Sequence, residues 1–213
     1  MNRPATSTDA GPIQRHPPLL PGRYYHILNR GNNRENLFLE ERNYPYFLSL
    51  YAKHVSPLVD TFAYCLLRNH FHLLLRVKEQ LELERSERSE RSERSDRLDR
   101  LDPVTRAFTS MFQAYSMAIN KAYNRTGKLF QEHFGRIEVT SNEYFTNLIF
   151  YIHFNPQKHG FVTDFRDWPW SSYSAFLSHQ TTRLQRDEVL AWFSGSDDST
   201  LAVRKKRSVN VNN

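Results

Sequence analysis

Hydrophobic and polar positions alternate, cluster and break along this chain in ways that predict its elements. Arg23–Asn29 alternates and is rich in β-formers, so it predicts a first strand. From Asn43 to about Val55 the apolar residues Tyr44, Phe47, Leu48 and Tyr51 recur at helical spacing. Pro45 is tolerated in the first turn, and Pro57 closes the segment. Val59–Leu67 predicts a second strand, Arg68-Asn69 a turn, and His70–Val77 a third strand in an antiparallel hairpin. A long helix is predicted over Val104–Tyr123, with Phe108, Met111, Phe112, Tyr115 and Ile119 on one side. Gly135–Val139 predicts a short strand. A helix capped by Ser141 or Asn142 then runs through Phe145, Leu148, Ile149 and Ile152 and stops near Pro156.

Three stretches stand outside this pattern. Residues 1–21 carry prolines and few large apolar groups and predict a flexible arm. Residues 81–102 are a charged insertion built on an Arg-Ser-Glu repeat without an apolar face, either a solvated helix with i,i+4 ion pairs or a linker. From Arg85 to Arg100 six Arg face five acids, so the basic excess lies elsewhere. Beyond about Ser178 a mobile tail is expected, with the basic cluster Arg204–Arg207.

The chain of 213 residues fits one domain of ordinary size with tails. A formal net charge of +6 favours a polyanionic partner. The only cysteine, Cys65, lies in an apolar strand and reads as core filling in a reducing cytosol. No run approaches the length of a membrane span and no secretory leader is visible, so the expected location is the cytoplasm.

Candidate chemistry begins with His70 and His72. On a strand, residues i and i+2 share a face, roughly 6.5–7 Å apart. Both imidazoles can then reach one metal ion while Phe71 packs into the other face; two ordinary satisfied histidines are the plainer reading. His26 reads as a core or supporting residue rather than a ligand. Tyr151 and Asn155 are spaced i,i+4 and share a helical face, which can present a phenol nucleophile and an amide oxygen together. Two imidazoles and one amide oxygen leave positions open for substrate oxygens. Such a donor set suits Mn²⁺ by softness and Mg²⁺ by availability. Arg30 and Arg34, in a turn with Gly31, Asn32 and Asn33, can hold phosphates, or the turn is a plain solvated loop. Lys121, Arg125 and Lys128 beside Tyr115 and Tyr123 suggest a nucleic-acid face, or a helix end with favourable cations. Arg136 is placed in the same DNA-binding set.

His70-Phe-His72, the run from Tyr151 to Gly160, and Asp167-Trp-Pro-Trp-Ser-Ser-Tyr173 together resemble the single-tyrosine transposases of the HUH endonuclease superfamily. The branch most similar is the one associated with repetitive extragenic palindromes (REP), which Asn29–Glu35 and Arg125–Gln131 also resemble. The likeness covers roughly residues 22–178. It implies an α+β, ferredoxin-like core: a central antiparallel sheet carrying the histidine pair, with helices packed on one face. It implies a metal-dependent enzyme that nicks single-stranded DNA near hairpins, leaving a 5′-phosphotyrosine and a free 3′-OH. Tyr151 would be the nucleophile, His70 and His72 the metal ligands, and Asn155 the third ligand. His153 faces elsewhere on the helix and touches DNA or packs. A non-cleaving hairpin-DNA binder is the alternative, a zinc hydrolase a weaker one. Whether the chain acts as a monomer or a homodimer stays open.

Overall fold

The computed structural model describes residues 18–79 and 101–194. Most of the N-terminal arm, nearly all of the charged insertion and the basic cluster at Arg204–Arg207 lie outside them. The strands are β1 (Tyr24–Arg30), β2 (Val59–Leu67), β3 (His70–Val77) and β4 (Gly135–Val139). The helices are α1 (Asn43–His54), α2 (Pro103–Ala122), α3 (Asn142–Lys158), α4 (Tyr173–Leu177) and α5 (Arg186–Ser194). The four strands form one antiparallel sheet in the order β2-β3-β1-β4. With α1 and α2 as the connections, this is the βαββαβ order of a ferredoxin-like fold, elaborated by α3 to α5.

The register decides which residues meet. Leu28 pairs with His72 and His26 with Leu74, so His26, Leu28, His70, His72 and Leu74 share one face. Tyr25, Ile27, Phe71, Leu73 and Leu75 point the other way, into the larger apolar cluster. There α1 and α2 cover the sheet: Phe71 sits 5.2 Å from Phe47 and 5.8 Å from Phe112, ring centre to ring centre. Each fully buried ring of this kind contributes about 1.5–3 kcal/mol. The histidine face is covered instead by α3, through Phe145, Leu148, Ile149 and Ile152. Helices on a single face, as expected, therefore describe α1 and α2; α3 packs opposite. It can do so because β2, β3 and β1 are apolar on both faces.

Local signals fix the helix ends. Asp102 caps α2 by accepting from the Thr105 backbone N–H at 2.8 Å, and Ser141 caps α3 by accepting from the Tyr144 N–H at 3.2 Å. Helix α3 ends near Pro156, as expected, running two residues past it to Lys158. Proline removes one hydrogen bond, and the last turn is closed by the His159 N–H donating to the Asn155 carbonyl at 3.0 Å. The stretch after Ser178 departs from expectation, because Arg186–Ser194 is helical and docks. Val189 is buried, Trp192 packs 5.0 Å from Phe145, and Arg76 bridges Asp60 and Glu188. The outer edge of β2 is covered by the segment around the second tryptophan: the Leu66 N–H donates to the Trp170 carbonyl, and the Ser172 N–H to the Tyr64 carbonyl, both at 2.9 Å. Among the described residues no helix is long and apolar enough to cross a membrane.

Candidate active site

The histidine face of the sheet meets the C-terminal half of α3 at a cleft of about 430 Å³. Leu28, Arg30, His70, His72, Tyr151 and His159 are among the residues lining it. Strand alternation aims both histidines at this side, and α3 crosses over them. The Tyr151 ring stands edge-on to His72 at 5.6 Å and to His26 at 6.3 Å between centroids. Lys158, seven residues further along α3, holds its Nζ 5.0 Å from the centre of the Tyr151 ring. His159 packs edge-on to His70 at 5.1 Å. Residues far apart in sequence thus place one phenol beside two imidazoles.

Each of the paired imidazoles is held at its Nδ1. His70 Nδ1 lies 2.7 Å from Asn69 Oδ1, an acceptor, so it carries the proton. His72 Nδ1 lies 3.0 Å from Nε2 of His26. Burial keeps these rings neutral. It holds His26 at about 4. Burial, reinforced by the charges of His159 and Arg30, holds His70 at about 4. His72 is lowest, at about 2, through burial and then through the neighbouring His26 and His70. Neutral imidazoles are the form that binds a metal ion.

The donor set fits a divalent cation of the Mg²⁺ or Mn²⁺ kind. Two imidazoles in one cleft, one of them with Nδ1 protonated and Nε2 left as donor, supply nitrogen ligands of the kind such an ion accepts. Among the described residues no group of three or more His, Cys, Asp or Glu side chains is placed to hold an ion.

The two basic segments expected to touch DNA are brought together beside this cleft. Gly31 bridges to Phe130, and the Asn32 N–H donates to the Leu129 carbonyl at 2.9 Å. Asn33 and Arg34 are exposed, both with left-handed backbone (φ 52° and 64°). Arg30 lines the cleft, and its buried Nε has no hydrogen-bond partner. Lys121 and Lys128 are exposed, Lys128 lying 3.4 Å from Glu132. Arg125 is committed internally, to Glu35 and to Asn120.

Three expected site residues sit elsewhere. Asn155 does not line the cleft; it is fully buried, and its amide N–H donates to the Tyr151 carbonyl at 2.7 Å. The i,i+4 spacing put it on the right side of the helix but could not show this inward bond. His153 is buried in the core, 2.7 Å from Ser172 Oγ, so it packs rather than facing DNA. Arg136 is also drawn inward: it donates to Thr105 Oγ1 at 2.8 Å, lies 3.9 Å from Asp102 and covers the Phe134 ring at 4.2 Å. Its pairing opposite Ile27 turns it from the histidine face toward α2. Sequence reasoning gave no role to His133, Lys158 or His159, which the structure brings to the cleft or to the Tyr151 ring. His159 follows Tyr151 by a little over two helical turns, which is the signal that could have found it.

No protein-family model matches the chain. A curated Haemophilus influenzae protein named as a REP-associated tyrosine transposase is 28% identical over 114 residues, 54% of this chain and 58% of that protein. The chain thus spans a little over half the length of the curated relative it matches. A solved structure of a REP-associated tyrosine transposase bound to a REP hairpin shares the fold, with a TM-score of 0.52 at 16% identity, covering 79% of this chain and 86% of that one. The chain is thus similar in sequence to one REP-associated tyrosine transposase and in fold to another.

Proposed function

We propose that this protein is a metal-dependent endonuclease and transposase that cuts and rejoins single-stranded DNA beside hairpins, through a covalent bond to Tyr151. The observation that carries this reading is the Tyr151 ring set 5.6 Å from His72 in the cleft that also holds His70. His70 and His72 would hold the ion, leaving its other positions to substrate oxygens and water. A bound Mg²⁺ or Mn²⁺ would polarise the scissile phosphate and offset the charge that develops on it.

The chain's own residues supply the rest. Tyr151 Oη attacks phosphorus, the new bond being phenolic O–P and the broken one P–O3′. The phenolic proton is lost and the leaving oxygen departs as a 3′-hydroxyl, so the downstream strand stays attached by its 5′-phosphate. Attack of a 3′-hydroxyl on this phosphotyrosine reverses the step and rejoins DNA. Arg30, with its unpartnered Nε at the cleft, holds a neighbouring phosphate. The loop Asn32–Arg34 with Lys121 and Lys128 holds the DNA backbone alongside. The hairpin partner is supported by the relative whose structure was solved with a REP hairpin.

Incubation of the full chain with a hairpin-bearing, 3′-labelled single strand and Mn²⁺ should yield a labelled band at protein size on a denaturing gel. His70→Ala/His72→Ala should lose both cleavage and adduct. Hairpin binding without cleavage by the unmutated protein would leave a DNA-binding protein that does not cut.

A further inference from the structure

One polar contact on the histidine face that the proposed reaction does not use is the bond between His26 and His72. It joins β1 to β3 at 3.0 Å, and both rings are buried, each 5% exposed. Register makes it: Leu28 is the residue directly opposite His72, and His26, two positions back on the same face, reaches diagonally across.

A neutral imidazole carries one proton, so this bond has two forms. If His26 Nε2 donates, His72 must carry its own proton on Nε2 and has no lone pair facing the cleft. If His72 Nδ1 donates, His26 Nε2 accepts and His72 Nε2 is left as a donor to metal. The neighbouring ring shows which pattern the site uses. His70 Nδ1 is bonded to Asn69 Oδ1, which only accepts, so His70 is already protonated at Nδ1.

We propose that His26 is a positioning residue that accepts from His72 Nδ1 and so holds the His72 Nε2 lone pair toward the metal position, as Asn69 does for His70. The proposal rests on the reading of His70 and His72 as metal ligands and adds the residue that sets the tautomer of one of them. Groups behind ligating histidines act in this way in other metal sites, and their loss costs about 10- to 100-fold in metal affinity.

Two measurements test it. Long-range ¹H–¹⁵N correlation spectra of the unmutated, metal-free protein should show His72 protonated at Nδ1 and His26 bare at Nε2; His72 protonated at Nε2 would overturn the proposal without any mutation. Mn²⁺ binding followed by electron paramagnetic resonance should then weaken about 10- to 100-fold in His26→Leu and stay within a few-fold of the unmutated protein in His26→Gln, whose amide oxygen accepts the same bond. Equal losses in both variants would make His26 a packing residue and overturn the positioning role. Unchanged affinity in His26→Leu, with loss in His70→Ala/His72→Ala, would overturn it as well. Unchanged affinity in the double variant would instead refute the metal reading beneath it.

Discussion

At the scale of single residues, burial and hydrogen bonding separate groups that chemistry alone would put together. Four of the imidazoles on or near α3 and its sheet face take different tasks. His70 and His72 open on the cleft, His26 stands behind them, and His153 is sealed against Ser172 Oγ, which itself accepts from the Tyr64 N–H at 2.9 Å. His153 therefore ties α3 to β2 and to the strand-edge segment. His153→Ala should cost about 2–4 kcal/mol of stability, from the lost ring volume and the freed hydroxyl, while folded protein binds hairpin DNA unchanged. Chemical denaturation and a binding titration check the two halves. Weaker hairpin binding at unaltered stability would return His153 to the DNA surface. Arg136 makes the same point with charge: desolvation lowers its pKa while Asp102 opposes the shift, so the group is held within the protein.

At the scale of elements, the site depends on a close approach in the loop after β1. Gly31 is needed there not for an unusual φ but for space, because a Cβ would stand 1.9 Å from the Glu35 carbonyl oxygen. Gly31→Ala should force the Arg30–Glu35 loop away from Leu129 and Phe130. Hairpin affinity should fall about tenfold or more, with the core still folded by circular dichroism. Native affinity in that variant would remove the loop from the DNA surface. Much of this layer was legible in sequence. The β-branched and apolar runs gave β2 and β3 their bounds, helical spacing gave α1 and α2, and the His-x-His period gave two rings on one face. What stayed hidden depends on tertiary contacts. The bond of His26 to His72 follows from strand register, which no single strand specifies. The run of α3 past Pro156 is closed by the bond from the His159 N–H to the Asn155 carbonyl. Helix α5 gains its place from one deeply buried residue, Val189, and a few bonds to the sheet, too faint a pattern to predict.

At the scale of the whole molecule, the fold keeps a group of buried imidazoles neutral, and stability must depend on pH. Folded His26 and His70 are held at about 4, His153 at about 3 and His72 at about 2. The unfolded chain takes up these protons below about 6.5. Stability should therefore be full above pH 6.5 and fall as pH drops toward 4, because protons then favour the unfolded state. Melting temperatures between pH 7.5 and 4.5 check this; a flat profile would mean that the imidazoles meet water. The same arrangement of sheet, cleft and crossing helix places Tyr151 beside the histidine pair, and on that meeting the proposed chemistry depends. Its most direct test is mass spectrometry of the peptide bearing Tyr151 after reaction of the full chain with a hairpin-bearing single strand and Mn²⁺. The account predicts a nucleotide mass on Tyr151 through its 5′-phosphate and none in Tyr151→Phe; an adduct on another residue, or one that persists in Tyr151→Phe, would contradict it.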